Sequence, residues 1–359
     1  MAPSHASFFS SALINWYHRH LRPLPWRETR DPYAIWLSEI ILQQTRVRQG
    51  LPYYLKFIER FPTVHDLANA PEDEVLRLWQ GLGYYSRARN LHFTAKQVVS
   101  EHIGQFPGSY QGLLQLKGVG SYTAAAIASF AYQEQVAVLD GNVYRVLARV
   151  FGKHENIAAP ASKKVFETLA NELIPAQEPD TYNQAIMEFG AIQCTPVAPD
   201  CLFCPLQQQC FAFQHGLVAV LPVKEKAKAS RVRFFHYLVF QFENQLYLKK
   251  RPSETDIWRG LYDFFSLETD SLQLSPASIQ AFFSQVPGVQ AAEIASTGKV
   301  YKHILSHQKI NAQFYLLPLH SRLREEETNA AGLQLYTLSE IEALPKPVLI
   351  DSFLKEHFF

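Results

Sequence analysis

The chain has 359 residues, of which 47 % are hydrophobic and 19 % are charged, and its formal net charge is +1. This length predicts two domains with a large buried core, and the small net charge gives no general support for nucleic-acid binding. The sequence has no run of eighteen apolar residues, and its first residues lack the features of a signal peptide, so we expect a cytoplasmic protein that is not bound to a membrane.

The first informative segment of the chain is a predicted helix that carries a glutamate. Asp31 can cap a helix that starts at Pro32, where the missing N–H of proline costs nothing. Glu39 lies in this helix among large apolar side chains. A lone helical glutamate usually faces solvent, but this apolar context favours a partly buried carboxyl with a raised affinity for its proton.

The next informative segment is a glycine-rich turn that spans residues 80–90 and contains Tyr84 and Tyr85. These aromatic side chains can cap a core, or they can be displayed for insertion between stacked bases. Because the net charge is small, any DNA-binding surface must be local. Its candidate basic residues are Arg46, Arg48, Arg87, Arg89 and Lys117.

A second glycine turn lies before the most helical part of the chain. Gly118 and Gly120 precede an alanine-rich run that starts at Thr123 and contains neither Pro nor Gly. The pattern predicts a helix, a tight turn whose two glycines allow positive φ, and a second helix whose free N–H groups favour an anion. An ordinary helical hairpin has the same spacing. Asp140 follows one helix later, and Gly141 and Asn142 come after it.

All four cysteines lie within seventeen residues, so we expect them to form one site: Cys194, Cys201, Cys204 and Cys210. Four thiolates can hold either zinc or a [4Fe–4S] cluster, and the generic spacing does not decide between them. Disulfides are disfavoured in a reducing compartment.

The pattern changes after residue 222. Residues 223–230 are polar and predict a linker, and residues 231–359 predict an α+β domain of about 130 residues. Its expected elements are a β-hairpin from Val232 to Leu248 that turns at Glu243-Asn244, a strand at 310–317, and helices at 275–284 and 347–356.

These segments together resemble the MutY family of adenine DNA glycosylases, in the helix-hairpin-helix superfamily of base-excision enzymes. The resemblance covers nearly the whole chain and includes the cysteine spacing, which equals that of the family's iron–sulfur loop. It implies a mainly α helix-hairpin-helix glycosylase domain at 1–222 with a [4Fe–4S] cluster loop at 194–210, and a Nudix-like lesion-recognition domain at 231–359. We find no Glu-rich Nudix box, so pyrophosphate hydrolysis is not expected.

The resemblance also implies roles for individual residues. Glu39 matches the general acid, Asp140 matches the carboxylate that stabilises the sugar cation, and Tyr122 and Asn142 accompany them. Tyr122 stands where strand-cleaving relatives carry a lysine. Leu305 stands where the family more often has phenylalanine. The implied DNA contacts are Arg27, Gln43, Gln44, Thr45, Leu82, the wedge Tyr84, the phosphate contact Lys117, Gly118, Gly120, Leu305, Ser306 and His307.

The implied function is excision of adenine paired with 8-oxoguanine or guanine in double-stranded DNA, by a monomeric, monofunctional, nucleoid-associated bacterial enzyme. Two alternatives stay open. One is a bifunctional endonuclease III-like glycosylase and lyase for oxidised pyrimidines, which the tyrosine at position 122 disfavours. The other is a non-catalytic DNA-binding scaffold, for which Glu39 and Asp140 would be dispensable.

Overall fold

Helices form most of the chain up to residue 214 and a mixed sheet follows, in a computed structural model that describes residues 3–225, 230–274, 278, 295–305 and 308–359. The chain divides into two units. Unit 1 contains residues 1–69 and 90–226, and unit 2 contains residues 70–89 and 227–359. Within the described ranges, no helix is long and apolar enough to cross a membrane.

The helices of the first 214 residues are short to medium in length. In chain order they are α1 (Pro3–His20), α2 (Pro32–Leu42), α3 (Val47–Arg60), α4 (Val64–Asn69), α5 (Glu72–Leu78), α6 (Ser86–His102), α7 (Tyr110–Leu113), α8 (Ser121–Tyr132), α9 (Gly141–Phe151), α10 (Pro160–Leu173), α11 (Pro179–Ile192) and α12 (Phe211–Gln214).

The predicted start of α2 is confirmed. Asp31 caps the helix by accepting a hydrogen bond from the backbone N–H of Tyr33 at 3.0 Å, and Pro32 is the first helical residue. Helix α2 is buried along nearly its whole length, as its apolar sequence requires. It therefore carries Glu39 into the interior of unit 1.

The glycine hairpin between α7 and α8 is present, but only one of its glycines has a positive φ. Gly118 has φ +77°, and a Cβ there would lie 2.8 Å from the Cβ of Asn90. Gly120 has φ −87° and ψ 176°, so it does not adopt the positive φ that a glycine allows. The reason is that Gly120 is the N-cap of α8, a position that requires extended backbone rather than a left-handed one.

Unit 2 is built on a mixed sheet. Its strands are β1 (Arg231–Phe242), β2 (Gln245–Lys250), β3 (Tyr262–Asp263), β4 (Phe265–Thr269), β5 (Ala295–Leu305), β6 (Gln308–Pro318) and β7 (Gln334–Thr337). The main order is β3-β2-β1-β6-β5, with β4 paired to β1 and β7 paired to β2. Strand β1 runs parallel to β6, and six consecutive β1 residues are buried, which fits a central strand.

The predicted hairpin is confirmed, because β1 and β2 pair antiparallel with Phe242 opposite Gln245. The predicted strand at 310–317 lies within β6. Helices α13 (Glu325–Ala331), α14 (Leu338–Ala343) and α15 (Val348–His357) complete the unit, and α15 matches the predicted helix at 347–356. The predicted helix at 275–284 lies outside the described residues, apart from Ser278, and the predicted linker does so in part.

Candidate active site

Unit 1 contains a cavity that gathers the predicted catalytic residues. Glu39 reaches it from α2, Tyr122 from the first turn of α8, and Asp140 and Asn142 from the start of α9. The cavity has a volume of about 180 Å³. Residues that are far apart in the sequence therefore share one pocket.

Glu39 is almost completely buried, with 6 % of its surface exposed. Burial raises the pKa of its carboxyl to about 7, although a hydrogen bond with Tyr122 opposes the shift. The nearby Asp140 raises the pKa further and Arg27 lowers it. A carboxyl with this pKa holds a proton in a large fraction of molecules at neutral pH, as a general acid requires.

Asp140 is the N-cap of α9, and this role fixes its carboxylate. One oxygen accepts the backbone N–H groups of Asn142 at 2.8 Å and Val143 at 2.7 Å, and the other accepts the Asn142 side-chain amide at 2.7 Å. Burial raises the pKa of Asp140, and these hydrogen bonds oppose that shift because they favour the charged form. The two carboxyls thus occupy different environments within one cavity.

Tyr122 lies beside Glu39 and is hydrogen-bonded to its carboxyl. Burial raises the pKa of the Tyr122 phenol well above its ordinary value, and the charges of Glu39 and Asp140 act in the same direction. The phenol therefore keeps its proton and acts as a hydrogen-bond donor in the pocket. Among the described residues that line the cavity, none is a lysine.

Sequence reasoning missed two charged residues of this cavity, Glu188 and Arg22. The side chain of Glu188 on α11 is 1 % exposed. It accepts two hydrogen bonds from Arg22, at 2.5 and 2.6 Å, and one from Arg27 at 2.7 Å. Burial alone would raise its pKa, but the two guanidinium groups outweigh burial and lower the pKa to about 2. Glu188 has apolar neighbours in sequence, as Glu39 has, and this signal could have identified it.

Three of the predicted DNA contacts follow directly after α2. Gln43 donates its amide to the hydroxyl of Thr123 at 3.3 Å, and Thr45 lines the cavity. Gln44 lies between them, exposed and with φ +55°, a conformation that is uncommon for a non-glycine residue. The segment therefore runs along the edge of the pocket with one side chain directed outward.

The hairpin residues are held by α6. The backbone N–H of Lys117 donates to Gln97 at 3.2 Å, and its carbonyl accepts the hydroxyl of Thr94. The ammonium of Lys117 lies 4.0 Å from the centroid of the exposed ring of Phe93. Lys117 is therefore at the surface beside Gly118, and it does not line the catalytic cavity.

The other predicted DNA contacts belong to unit 2, where Tyr84 and Leu305 line one cavity together with Trp258 and His303. Tyr84 is 46 % exposed, whereas Leu82 lines the same cavity with only 6 % of its surface exposed. Leu305 is the last residue of β5 and is half-buried. Ser306 and His307 lie outside the described residues.

The four cysteines line one space in unit 1. They are half-buried and without disulfides, and the space that they share has a volume of about 20 Å³. In the described part of the chain, no three His, Cys, Asp or Glu side chains are grouped closely enough to hold a single metal ion. Arg149, which is 2 % exposed, donates to the sulfur of Cys194 at 3.4 Å and to the carbonyl of Thr195 at 2.8 Å.

Arg145 on α9 connects the cysteine loop with the catalytic pocket. Its guanidinium donates to the carbonyl of Cys194 at 2.7 Å and to the side-chain oxygen of Asn142 at 2.8 Å. Asn142 in turn donates to Asp140. A continuous chain of hydrogen bonds therefore links the cysteine loop to the catalytic carboxylate.

Both units match known families. Residues 37–175 match the HhH-GPD superfamily of base excision DNA repair proteins, and residues 236–356 match the NUDIX domain. Two solved structures resemble the fold over somewhat more than half of the chain. A thermostable thymine-DNA glycosylase is 30 % identical with a TM-score of 0.55, covering 58 % of this chain and 97 % of its own. The second structure is a non-covalent endonuclease III–DNA complex, which is 21 % identical with a TM-score of 0.52 and covers 60 % of this chain and 99 % of its own. At this low identity, the likeness concerns the fold and not the function.

Three curated relatives are more similar in sequence, and two of them cover more of the chain. The adenine DNA glycosylase of Buchnera aphidicola subsp. Baizongia pistaciae is 38 % identical over 71 % of this chain and 73 % of its own. That of subsp. Acyrthosiphon pisum is 31 % identical over 98 % and 99 %. The human enzyme of the same name is 43 % identical over 57 % of this chain and 39 % of its own. Because the Acyrthosiphon pisum relative is 31 % identical along nearly the whole chain, the chain belongs to the adenine DNA glycosylases, a family of base-excision enzymes that hydrolyse the N-glycosidic bond.

Proposed function

We propose that this chain is a monofunctional glycosylase that removes adenine paired with 8-oxoguanine or guanine in duplex DNA. The observation that carries the proposal is the pairing of Glu39 and Asp140 in one cavity. The first carboxyl is buried with a pKa of about 7, and the second is held by three hydrogen-bond donors. One acid and one carboxylate are what the cleavage of a glycosidic bond requires.

The chemistry follows from these two environments. Glu39 donates its proton to a ring nitrogen of adenine, so that the base leaves as a neutral group with the electron pair of the C1′–N9 bond. Asp140 faces the sugar cation that remains and stabilises it, or briefly traps it, until water adds at C1′ and releases a proton. The adenine must first leave the helix, which costs a few kcal/mol, less for a mispaired base.

Tyr122 supports a reaction without strand cleavage. A lysine at this place would attack the sugar and form a Schiff base, and a phenol that keeps its proton has no such chemistry. Lys117 is the nearest alternative amine in the sequence, but its ammonium lies against Phe93, and Lys117 does not line the cavity. The products expected are free adenine and an intact strand with an abasic site.

We assign recognition of the base paired with adenine to unit 2, because the flipped adenine is the only base that would enter the catalytic cavity. Tyr84 and Leu305 line one cavity there, and Ser306 and His307 follow Leu305 in the sequence. Tyr84 serves as the wedge that unstacks the base step. A hydroxyl and an imidazole can each form hydrogen bonds with the edge that distinguishes 8-oxoguanine from guanine.

The four cysteines are proposed to hold a [4Fe–4S] cluster. The fit rests on their shared space and on Arg149, a buried guanidinium whose contacts include the Cys194 sulfur, since a buried charge requires a partner of opposite charge. A cluster bound by four thiolates contributes folding energy and leaves no coordination position for a substrate. Iron and sulfide analysis of the purified full chain tests this assignment, and stoichiometric zinc without iron would overturn it.

The central experiment measures adenine release under single-turnover conditions from matched duplexes with adenine opposite 8-oxoguanine, guanine or thymine. We expect the highest rate opposite 8-oxoguanine and the lowest opposite thymine. Glu39→Gln and Asp140→Asn should each lower the rate by roughly 10²–10⁴-fold, because each removes a group that acts on charge in the transition state. Glu172→Gln, at an exposed glutamate of α10, is the matched control.

Two outcomes would replace the proposal with an alternative. A borohydride-trapped adduct with strand cleavage would indicate a bifunctional enzyme of the endonuclease III type. Unchanged base release in both carboxyl variants would remove Glu39 and Asp140 from the chemistry. For lesion reading, Ser306→Ala combined with His307→Ala should slow release opposite 8-oxoguanine more than opposite guanine, and an equal effect on both duplexes would contradict that role.

A further inference from the structure

The turn before α6 exposes Tyr84 and holds it in a left-handed backbone conformation, which is unusual for a tyrosine. Tyr84 has φ +49°, and its side chain is 46 % exposed. The glycines at 81 and 83 also have positive φ, at +104° and +72°, so the turn is left-handed on both sides of Leu82. A bulky residue with positive φ is strained and persists only where surrounding contacts hold it. Some other group must therefore keep Tyr84 in place.

Arg87, the second residue of α6, makes those contacts. Its guanidinium carbon lies 5.5 Å from the centroid of the Tyr84 ring and 5.0 Å from that of Trp79, within the range of cation–π attraction. The backbone N–H of Arg87 donates to the carbonyl of Tyr84 at 2.8 Å. The same side chain thus contacts the exposed tyrosine ring on one side and a buried tryptophan on the other.

Trp79 and Arg87 also hold the backbone just before Tyr84. The indole N–H of Trp79 donates to the carbonyl of Gly83 at 2.9 Å, and the Arg87 guanidinium lies within 3.5 Å of the carbonyls of Leu82 and Gly83. Burial lowers the pKa of Arg87 to about 10, which leaves the guanidinium charged at neutral pH. Only 9 % of Arg87 is exposed, so its charge is directed into the turn and away from solvent.

We propose that Arg87 is a positioning residue that presets Tyr84 in its exposed, left-handed conformation before DNA binds. The proposal rests on the wedge role of Tyr84 given above and adds the group that prepares it. A wedge that is already ordered inserts without a further loss of conformational entropy, which makes the distorted DNA complex tighter. Arg87 then acts on DNA only through Tyr84.

A double-mutant cycle on the full chain tests this route of action. The variants are Arg87→Met, Tyr84→Ala and the pair together. The readouts are the dissociation constant for a duplex with adenine opposite 8-oxoguanine and the fluorescence of a 2-aminopurine placed beside the mispair, which rises on unstacking. Arg87→Met should weaken binding about tenfold and reduce the fluorescence rise. In the Tyr84→Ala background, Arg87→Met should change neither readout further.

Two more variants separate positioning from charge and from general stability. Arg87→Lys keeps the positive charge but loses the flat guanidinium that stacks on two rings, so we expect it to resemble Arg87→Met. It also serves as the second variant if Arg87→Met folds poorly. Arg322→Met removes an exposed guanidinium that lies 5.7 Å from the centroid of Phe242 in the same unit, and it should change neither readout.

Each contrary outcome identifies what fails. Full additivity of Arg87→Met and Tyr84→Ala, or wild-type behaviour of Arg87→Lys, would overturn the positioning role and leave the wedge assignment intact. If Tyr84→Ala alone leaves binding and fluorescence unchanged, the wedge assignment itself is wrong, and the role of Arg87 fails with it.

Discussion

Glu39, the proposed general acid, shows how the burial of a single carboxyl makes the stability of the folded chain depend on pH. Its pKa is about 7 in the folded state, above the ordinary value near 4.5. Between these values the folded chain binds more protons than the unfolded chain, so the free energy of unfolding falls as the pH rises. The stability that Glu39 contributes is complete below about pH 4.5 and is lost as the pH passes through 7.

We therefore predict that Glu39→Gln abolishes most activity and stabilises the protein at alkaline pH. The free energy of unfolding of the variant minus that of wild type should increase by roughly 2–3 kcal/mol from pH 5 to pH 8.5. Urea unfolding at the two pH values measures the change, with Glu172→Gln as the exposed control. A gain that is the same at both pH values would show that Glu39 does not titrate in this range. The wild-type rate of base release should also decline above pH 7.

At the scale of elements, the two glycines of the hairpin before α8 differ in backbone conformation and in the space around them. Gly118 has positive φ and touches Asn90, whereas Gly120 has extended backbone and open space where a Cβ would lie. Gly118→Ala should lower the free energy of unfolding by about 2 kcal/mol, because it adds both strain and a clash. Gly120→Ala should cost much less. Denaturant midpoints of the two variants test the difference, and equal midpoints would contradict it.

Individual elements show how much of the fold could be predicted from the sequence. The N-cap of α2 and the β1–β2 hairpin depend on neighbouring residues, and both were predicted correctly. The sequence left the conformation of each glycine open, because a Gly-x-Gly pattern does not say which glycine caps the following helix. Glu188 was missed for another reason. Its apolar neighbours favour a buried carboxyl, but its partners Arg22 and Arg27 are 166 and 161 residues away, and no local pattern reports a pairing of that range.

At the scale of the whole molecule, residues 70–89 group with the C-terminal part of the chain. Asp73 forms an ion pair with Lys250 at 2.7 Å, and the hydroxyl of Tyr85 donates to the carbonyl of Lys346 at 3.3 Å. Arg89 donates to the carbonyl of residue 259 at 2.9 Å. The sequence predicts a boundary at residue 222, and that boundary stays a prediction. These contacts mean that a cut there would separate α5 and the turn that displays Tyr84 from their packing partners.

The last prediction concerns a fragment of residues 1–222. Loss of the C-terminal partners should open the segment 70–89, and trypsin should then cleave after Arg77, Arg87 and Arg89 roughly tenfold or more faster than in the full chain. Arg60, on α3 of unit 1, is the internal control and should be cleaved at similar rates in both. Since the same opening would release Tyr84, the fragment should lose DNA distortion together with its preference for 8-oxoguanine. Equal protection of 70–89 in both proteins would show that unit 1 alone holds this segment.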